Sequence, residues 1–335
     1  MSEIRRAPFR VGFLLFPGFP MSCLTSLIEP LRAANEIVAR EEFDWRLLSE
    51  GGTRITSSAR VGFEADGALA DARAVDLLLL LGAPTSDFVD RARGRGTLRD
   101  LDRHGTQLGA VSGGVFALMR SGTMAGRPVS VHWCYGAAFR TEFPDADARA
   151  DVLVSGWRRH TASGAAAAFD LALRLIEERV GAGTAHEVAC WFQHPQMRGQ
   201  GVAQRVPPVA APDAPDGLPP LVARAATRMA EDLSDPVPIA EIAEGLGVTQ
   251  RQVSRAFRRA TGDTPTAYLR ALRMRAARQM VQHSQEPLAE VAAAVGYTAQ
   301  NAFVANYRAA FGLTPREDRA RINRFRVEGT MPLPS

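Results

Sequence analysis

The C-terminal third of the chain carries the same helical pattern twice. Residues 239–248 and 288–297 each read as a short apolar helix that ends at a glycine turn. A polar helix is predicted after each turn, over residues 249–259 and 298–310. A short helix, a glycine turn and a second helix form the motif that lays its second helix in the major groove of DNA. Two such units predict an all-α domain that binds double-stranded DNA.

The second helix of the first unit has one apolar face and one polar face. Val253 and Phe257 lie one turn apart and are expected in the core. The opposite face carries five polar side chains, which are Gln250, Arg251, Ser254, Arg255 and Arg258. Glutamine pairs with adenine, and arginine pairs with guanine or with phosphate. We predict that these five side chains contact a DNA operator; a solvated helix surface is the alternative.

The corresponding helix of the second unit is less basic. Its predicted DNA contacts are Gln300, Asn301 and Arg308, whereas the aromatic residues of this region are expected in the core. Residues 264–282, between the units, are predicted to form one long helix, which would hold the two recognition helices one DNA turn apart. Several arginines lie along that helix, Arg273 and Arg278 among them, and phosphate contact and simple solvation are equally expected for them.

Positive charge is concentrated in the same region. The segment from residue 221 to the end holds 16 arginines and 11 acidic residues, a net charge of +5. The remainder holds 24 arginines and 25 acidic residues, a net charge of −1. This division favours a polyanionic partner for the C-terminal region only.

The sequence has no run of eighteen apolar residues and no signal-peptide core, and its three cysteines are far apart. We therefore expect a cytoplasmic protein that does not enter a membrane.

Upstream of this region, apolar strands alternate with helices. Strands are predicted at residues 9–16, 75–81 and 108–111, and helices at residues 26–39 and 169–180. This alternation predicts an α/β domain with a doubly wound parallel sheet that helices cover on both faces. A segment rich in proline and glycine follows it. The expected boundaries are residues 8–200 for the α/β domain, 201–220 for the linker and 221–326 for the helical domain.

The sharpest candidate site of the α/β domain follows its third predicted strand. That strand runs through Ser112 into two glycines and a helix, as in a nucleophile elbow. Ligands of such sheets bind at the carboxyl ends of the strands. Gly82, which ends another strand, and the amide of Gly113 would form a nest for an oxyanion. Ser112, His132 and Glu29 have the residue types of a catalytic triad, so a hydrolase or amidase is the rival interpretation.

Both halves of the chain resemble known families. Residues 221–325, with both helix-turn-helix units and the ending Phe-Gly-Leu-Thr-Pro at 311–315, are similar to the DNA-binding domain of the AraC/XylS regulators. The α/β half resembles the PfpI-type, class I glutamine amidotransferase-like fold, which is flavodoxin-like. Its matching segments are residues 11–17, 29–35, 122–127, 132–133 and 161–164, with Asp170. The order of the two halves resembles the GlxA family of transcription regulators.

The resemblance implies a regulator that senses a small metabolite, and not an enzyme. The elbow residue of enzymes with this fold is normally cysteine, and a serine hydroxyl needs a base before it can attack. The elbow is therefore predicted to be a ligand pocket, formed by Glu29, Gly82, Ser112, Gly113, His132 and Trp133. The ring of Trp133 would suit a cationic ligand. Two more interpretations stay open, namely a vestigial elbow that binds no ligand and a nucleoid or scaffold protein.

The same resemblance implies amino-acid or quaternary-amine metabolites as effectors. We further expect a homodimer, with RNA polymerase as an additional partner, and neither a cofactor nor a bound metal.

Overall fold

The chain divides after Gln204 into an α/β unit and a helical unit. The computed structural model describes residues 7–194, 197–204, 218–231 and 233–323 of the chain. Most of the predicted linker, residues 205–217, lies outside this described part. No helix within the described residues combines the length and the apolar composition that crossing a membrane requires.

Eleven strands form the sheets of the described α/β unit. They are β1 (Phe9–Leu15), β2 (Phe43–Ser49), β3 (Ile55–Thr56), β4 (Gly62–Phe63), β5 (Gly67–Ala68), β6 (Leu77–Gly82), β7 (Gln107–Ser112), β8 (Val129–Ser130), β9 (Ala148–Arg149), β10 (Leu153–Gly156) and β11 (Arg159–Ala162). Seven of them form one sheet in the order β10-β11-β7-β6-β1-β2-β5. All neighbours in this sheet are parallel except β10, which pairs antiparallel with β11. The predicted parallel sheet is confirmed, with an antiparallel edge strand that the apolar pattern did not indicate.

Strand β6 lies near the middle of this sheet and is buried along its whole length. Successive side chains of a strand point to opposite faces. Accordingly, Leu77, Leu79 and Leu81 pack into one hydrophobic cluster, and Leu78 and Leu80 pack into a second one. A run of five leucines is stable here because both faces of the sheet are covered.

Six helices cover the two faces of the sheet. They are α1 (Met21–Ile37), α2 (Arg91–Arg103), α3 (Gly114–Arg120), α4 (Gly136–Glu142), α5 (Ala165–Val180) and α6 (Ala182–Trp191). Helices α1, α5 and α6 contribute to one hydrophobic cluster, and α2, α3 and α4 contribute to the other. Helix α1 begins at Met21 rather than at the predicted residue 26, because Cys23 and Leu24 extend its buried face.

The helical unit contains seven helices among its described residues. They are α7 (Pro220–Glu231), α8 (Ile239–Gly245), α9 (Gln250–Thr261), α10 (Pro265–His283), α11 (Leu288–Ala294), α12 (Gln300–Phe311) and α13 (Pro315–Asn323). Helices α8 and α9 form the first helix-turn-helix unit, and α11 and α12 form the second. The turn glycines, Gly247 and Gly296, have φ of 70° and 76°, a left-handed conformation that suits glycine. The predicted all-α domain with two such units is confirmed.

Gly114 is required where α3 crosses the sheet. A Cβ at this position would lie 2.2 Å from the carbonyl oxygen of Leu80, in the middle of β6. We expect Gly114→Ala to lower the free energy of unfolding of the α/β unit by about 3 kcal/mol, because a central strand cannot move aside. The matched control is Gly183→Ala on α6, where a Cβ meets nothing within 4 Å. That variant should be neutral or more stable by about 0.5 kcal/mol.

Tryptophan fluorescence during urea unfolding measures both variants. All four tryptophans, at positions 45, 133, 157 and 191, belong to the α/β unit, so the signal reports this unit alone. Equal stability of the two alanine variants would contradict the close approach at Gly114.

Candidate functional site

The carboxyl ends of three adjacent parallel strands meet at Ser112. In the register of the sheet, Leu15 of β1 pairs with Leu81 of β6, and Gly82 pairs with Ser112 of β7. Ser112 is buried and has a φ of 55°, in the left-handed region that non-glycine residues rarely occupy. Such strain persists where the surrounding structure holds it, and it clusters at functional sites. The turn after β7 therefore has the geometry of an elbow.

The elbow packs closely against the loop that follows β6. A Cβ on Gly113 would lie 2.4 Å from both the carbonyl carbon of Ala83 and the nitrogen of Pro84. Only a glycine fits at this distance from a neighbouring backbone. The structure thus brings together Gly82, Ser112 and Gly113, three of the six residues that the sequence predicts for the pocket.

Arg120, at the end of α3, holds this loop in place. Its guanidinium donates to the carbonyl oxygens of Pro84 and Ser86, at 3.0 and 2.8 Å. It also forms a bidentate pair with Glu142 on α4, at 2.6 and 2.8 Å. Bidentate pairs of this kind are strong and directional. The backbone beside Gly113 is therefore rigid, a role of Arg120 that no sequence motif signals.

His132 and Trp133 lie in the turn after β8, with ring centroids 5.5 Å apart. The Nδ1 atom of His132 accepts the amide hydrogen of Cys134 at 3.3 Å and lies 2.9 Å from its Sγ. Burial lowers the pKa of His132 and raises the pKa of the Cys134 thiol to about 12. Both side chains are therefore neutral near pH 7. Because Nδ1 accepts this hydrogen bond, the geometry favours the neutral tautomer with its proton on Nε2.

The His132 ring packs over the start of α5. A Cβ on Gly164 would lie 3.3 Å from Cδ2 and 3.7 Å from Nε2 of His132. The backbone of Trp133 is held separately, because its amide donates to the side chain of Gln204 at 2.9 Å. The ring of His132 thus has a fixed position and presents Nε2 on the side away from Cys134.

Glu29 is placed differently from the other predicted pocket residues. It lies in the middle of α1, about 12 Å along the helix from Met21 at a rise of 1.5 Å per residue. Its carboxylate pairs with Arg32 at 2.9 Å and is 46% exposed. Arg32 is therefore the partner that the structure shows for the Glu29 carboxylate. Its part in the pocket stays a prediction.

The α/β unit contains two further features outside the predicted pocket residues. Asp170 on α5 is fully buried and pairs with His194 and Arg198, at 2.9 and 2.7 Å, which anchors the segment after α6. A cavity of about 170 Å³ lies at the amino ends of β1 and β2, lined in part by Arg10 and Trp45. This is the opposite edge of the sheet from the elbow, whereas parallel sheets bind ligands at the carboxyl edge.

No group of three or more histidine, cysteine, aspartate or glutamate side chains suited to hold a metal ion occurs in the part of the chain that the structure describes.

In the helical unit, α9 presents a cationic outer face. Val253 and Phe257 are fully buried, and Gln250, Arg251, Arg255 and Arg258 are exposed, with Ser254 half-buried. The side chains of Thr249 and Gln252 cap the start of the helix with reciprocal hydrogen bonds at 3.3 and 2.8 Å. Within the described residues, no acidic side chain pairs with the arginines of α9. An unpaired row of guanidinium groups on a rigid helix suits a polyanion.

Helix α12 presents a different outer face. Gln300, Asn301 and Arg308 are exposed, while Phe303 and Tyr307 are fully buried. The three exposed side chains line an open groove of about 720 Å³ together with Val304, Ala305, Ala309 and Thr314. The predicted second recognition helix therefore has its polar residues on the accessible side, around a surface of small apolar side chains.

Asp318 fixes the position of α12. Its carboxylate is fully buried, accepts hydrogen bonds from the Tyr307 hydroxyl at 2.9 Å and from Arg278 Nε at 2.8 Å, and contacts Gln282. Burial opposes ionisation of Asp318, but the hydrogen bonds from Arg278 and Tyr307 lower its pKa. One carboxylate thus joins α10, α12 and α13.

Two arginines of α10 are therefore structural. Arg278 pairs with Asp318, and its guanidinium lies 4.4 Å from the centroid of the Phe311 ring. Arg273 donates to the carbonyl oxygen of Leu233 at 3.1 Å and lies over the Tyr297 ring. Simple solvation therefore does not describe these two side chains, and phosphate contact stays a prediction.

Comparisons with known proteins agree with this geometry. The family described as "Helix-turn-helix domain" matches residues 242–321. The HTH-type transcriptional regulator GbdR of Pseudomonas aeruginosa is 31% identical, over 94% of this chain and 85% of its own length. The HTH-type transcriptional regulator GlxA of Rhizobium meliloti is 28% identical, over 93% of this chain and 96% of its own.

A solved structure covers the α/β fold. An AraC family transcriptional regulator from Pseudomonas putida superposes with a TM-score of 0.50 at 26% identity, over 55% of this chain and 100% of that chain. The parallel-sheet unit followed by two helix-turn-helix units defines an AraC-type, DNA-binding transcription regulator. Within that class, the chain belongs to the family of GlxA- and GbdR-type regulators.

The contacts of Asp318 are expected to stabilise the helical unit. Asp318→Asn removes the charge that Arg278 and Tyr307 contact in a buried position, so the free energy of unfolding should fall by about 2–3 kcal/mol. Far-UV circular dichroism should show earlier unfolding of helices, while tryptophan fluorescence, which reports the α/β unit, stays unchanged. The matched control is Asp263→Asn, at an exposed position. Equal effects of the two changes would contradict a central role of Asp318.

Proposed function

We propose that the α/β unit binds a small effector at the Ser112 elbow without catalysing a reaction, and that binding changes the affinity of the protein for operator DNA. The observation that carries this proposal is the hydrogen bond from the Cys134 amide to Nδ1 of His132. This bond favours the neutral tautomer with its proton on Nε2, and in that tautomer Nε2 is a hydrogen-bond donor and not a general base for Ser112. A serine hydroxyl without a base is a weak nucleophile but a good hydrogen-bond partner.

The chemistry of the elbow suits a zwitterion. The Ser112 hydroxyl, the backbone amide of Gly113 and the Nε2–H of His132 are donors for a carboxylate. The indole of Trp133 offers a face to an ammonium group. Amino acids and betaines carry both charges, which supports the class of effector that the resemblance implies.

The rival hydrolase interpretation rests on one observation, the left-handed conformation of Ser112. In hydrolases, a strained elbow exposes the hydroxyl of the nucleophilic serine. Two features oppose catalysis here, namely the hydrogen bond from the Cys134 amide to His132 Nδ1 and the pairing of Glu29 with Arg32.

We propose that α9 and α12 read two parts of one half-site. Arg251, Arg255 and Arg258 supply most of the affinity, because their charges are unpaired and exposed. Helix α10 packs against both α9 and α12, so it holds the two recognition helices at a fixed separation. We further propose a homodimer on paired half-sites, in contact with RNA polymerase in the cytoplasm, since a two-fold assembly matches the symmetry of such operators.

Ser112→Ala and His132→Gln are expected to abolish effector binding. A thermal-shift screen of the full-length protein against amino acids, betaines and polyamines would identify a stabiliser, since a ligand at 100 times its Kd adds about 2.7 kcal/mol. Ser58→Ala, at an exposed position, is the control and should keep the full shift. A stabiliser that acts equally on the Ser112 and His132 variants would place the effector elsewhere.

The same variants separate a sensor from a hydrolase. A hydrolase would turn over an ester or amide as the wild-type protein, and Ser112→Ala would lose this turnover but still bind the substrate. That result would establish the rival function.

Arg255→Ala is expected to weaken binding to operator DNA. The probe is a duplex selected by the full-length protein from a random library. Loss of a bidentate guanine contact costs about 1–3 kcal/mol, or roughly five- to 150-fold in Kd. Arg224→Ala on α7 removes the same charge from another exposed position and should change the Kd by less than about threefold. Fluorescence anisotropy measures the Kd of each variant. Equal losses of DNA affinity in both variants would show that Arg255 contributes only general electrostatic attraction.

A further inference from the structure

The two recognition helices correspond position by position at an offset of 50 residues. Val253 and Phe257 of α9 match Phe303 and Tyr307 of α12, and all four are fully buried. The helices begin at Gln250 and Gln300 and end before Gly262 and Gly312, which both have a left-handed conformation. Because the buried positions coincide, the outward positions of α9 and α12 are equivalent as well.

The outward positions nevertheless carry different chemistry. Helix α9 contains four arginines and no acidic residue, whereas α12 contains one arginine and no acidic residue. Ser254, Arg255 and Arg259 of α9 are replaced by Val304, Ala305 and Ala309 of α12. Glutamine at the first position, and arginine at 258 and 308, are retained. The centre of the α12 face is therefore apolar and its ends are polar.

This apolar centre is accessible. Val304, Ala305 and Ala309 line the open groove of about 720 Å³, with Gln300, Asn301 and Arg308 around them. Their side chains are short, so a surface placed against α12 can approach its backbone closely. Ala305 is exposed, and Val304 is only half-buried. Core packing therefore does not explain why these positions are apolar.

We propose that α12 reads an A·T-rich part of the operator, with Val304, Ala305 and Ala309 against thymine methyl groups, whereas α9 reads its part through arginines. In the major groove, small apolar side chains contact the thymine C5 methyl, and glutamine and asparagine pair with adenine. Guanine is read chiefly by arginine, which α12 lacks at its centre. This inference rests on the proposed function, in which the outer faces of α9 and α12 contact bases.

The test uses the full-length protein and duplexes that it selects from a random library. Replacing thymine by deoxyuridine removes only the C5 methyl group. In the part of the site that α12 contacts, each critical replacement should raise the Kd about three- to fivefold, as expected for one buried methyl group. The same replacement in the part contacted by α9 should change the Kd by less than about twofold.

Ala305→Arg provides the matching variant on the protein. It places in α12 the residue that α9 has at the equivalent position, on an exposed site where folding is unaffected. Selection by this variant should gain a guanine in the α12 part of the operator and lose sensitivity to deoxyuridine there. Arg255→Ala should leave the deoxyuridine effect intact, because it acts on the other part.

Three results with the wild-type protein would overturn the inference. They are a guanine-rich α12 part in the wild-type selection, no base preference in that part, or no deoxyuridine effect. An Ala305→Arg variant with unchanged DNA selection but lost activation of RNA polymerase would also overturn it, by assigning the groove to a protein partner. If the full-length protein selects no sequence at all, the proposed function itself fails, and this outcome is distinct from those above.

Discussion

The α/β unit depends on the burial of β6 on both faces. Its five leucines alternate between two hydrophobic clusters, so a change at any of them disturbs the packing of helices on one face. The strand also sets the position of the candidate site. It ends at Gly82 beside Ser112, and its Leu80 backbone is crossed so closely by α3 that residue 114 is glycine. The hydrophobic core and the candidate site therefore share strand β6, and the elbow is built on the packed core of the α/β unit.

The elbow combines a strained serine with polar partners that do not form a hydrogen-bonded catalytic triad among the described residues. Ser112 has the strained conformation of a nucleophile, but the Cys134 amide donates to Nδ1 of His132, and Glu29 pairs with Arg32. Arg120 and Glu142 hold the loop beside the elbow, and for the binding site that we propose there, an arrangement formed before a ligand arrives would lower the cost of binding.

The two halves of the helical unit use different interactions at equivalent positions. At equivalent positions, the first half packs Phe257 against Tyr268 with ring centroids 5.1 Å apart, whereas the second half joins Tyr307 to Asp318 by a hydrogen bond. The apolar pair tolerates small shifts, but a buried carboxylate with several partners has one favourable geometry. The orientation of α12 is therefore held by directional bonds. A precise orientation suits the contacts that we propose for the short apolar side chains of α12, because such contacts lose strength quickly with distance.

The sequence alone determined the fold class, the two helix-turn-helix units and the buried and exposed faces of α9, because the periods of apolar residues report burial directly. It also located the elbow, since a strand followed by serine and two glycines is a local pattern. Only the tertiary structure decided the hydrogen-bond partners of His132, Arg120, Arg278 and Asp318. Apart from Cys134, these partners are distant in sequence and meet only after packing. No local pattern encodes such contacts, because their free energy comes from burial and geometry that the complete fold creates.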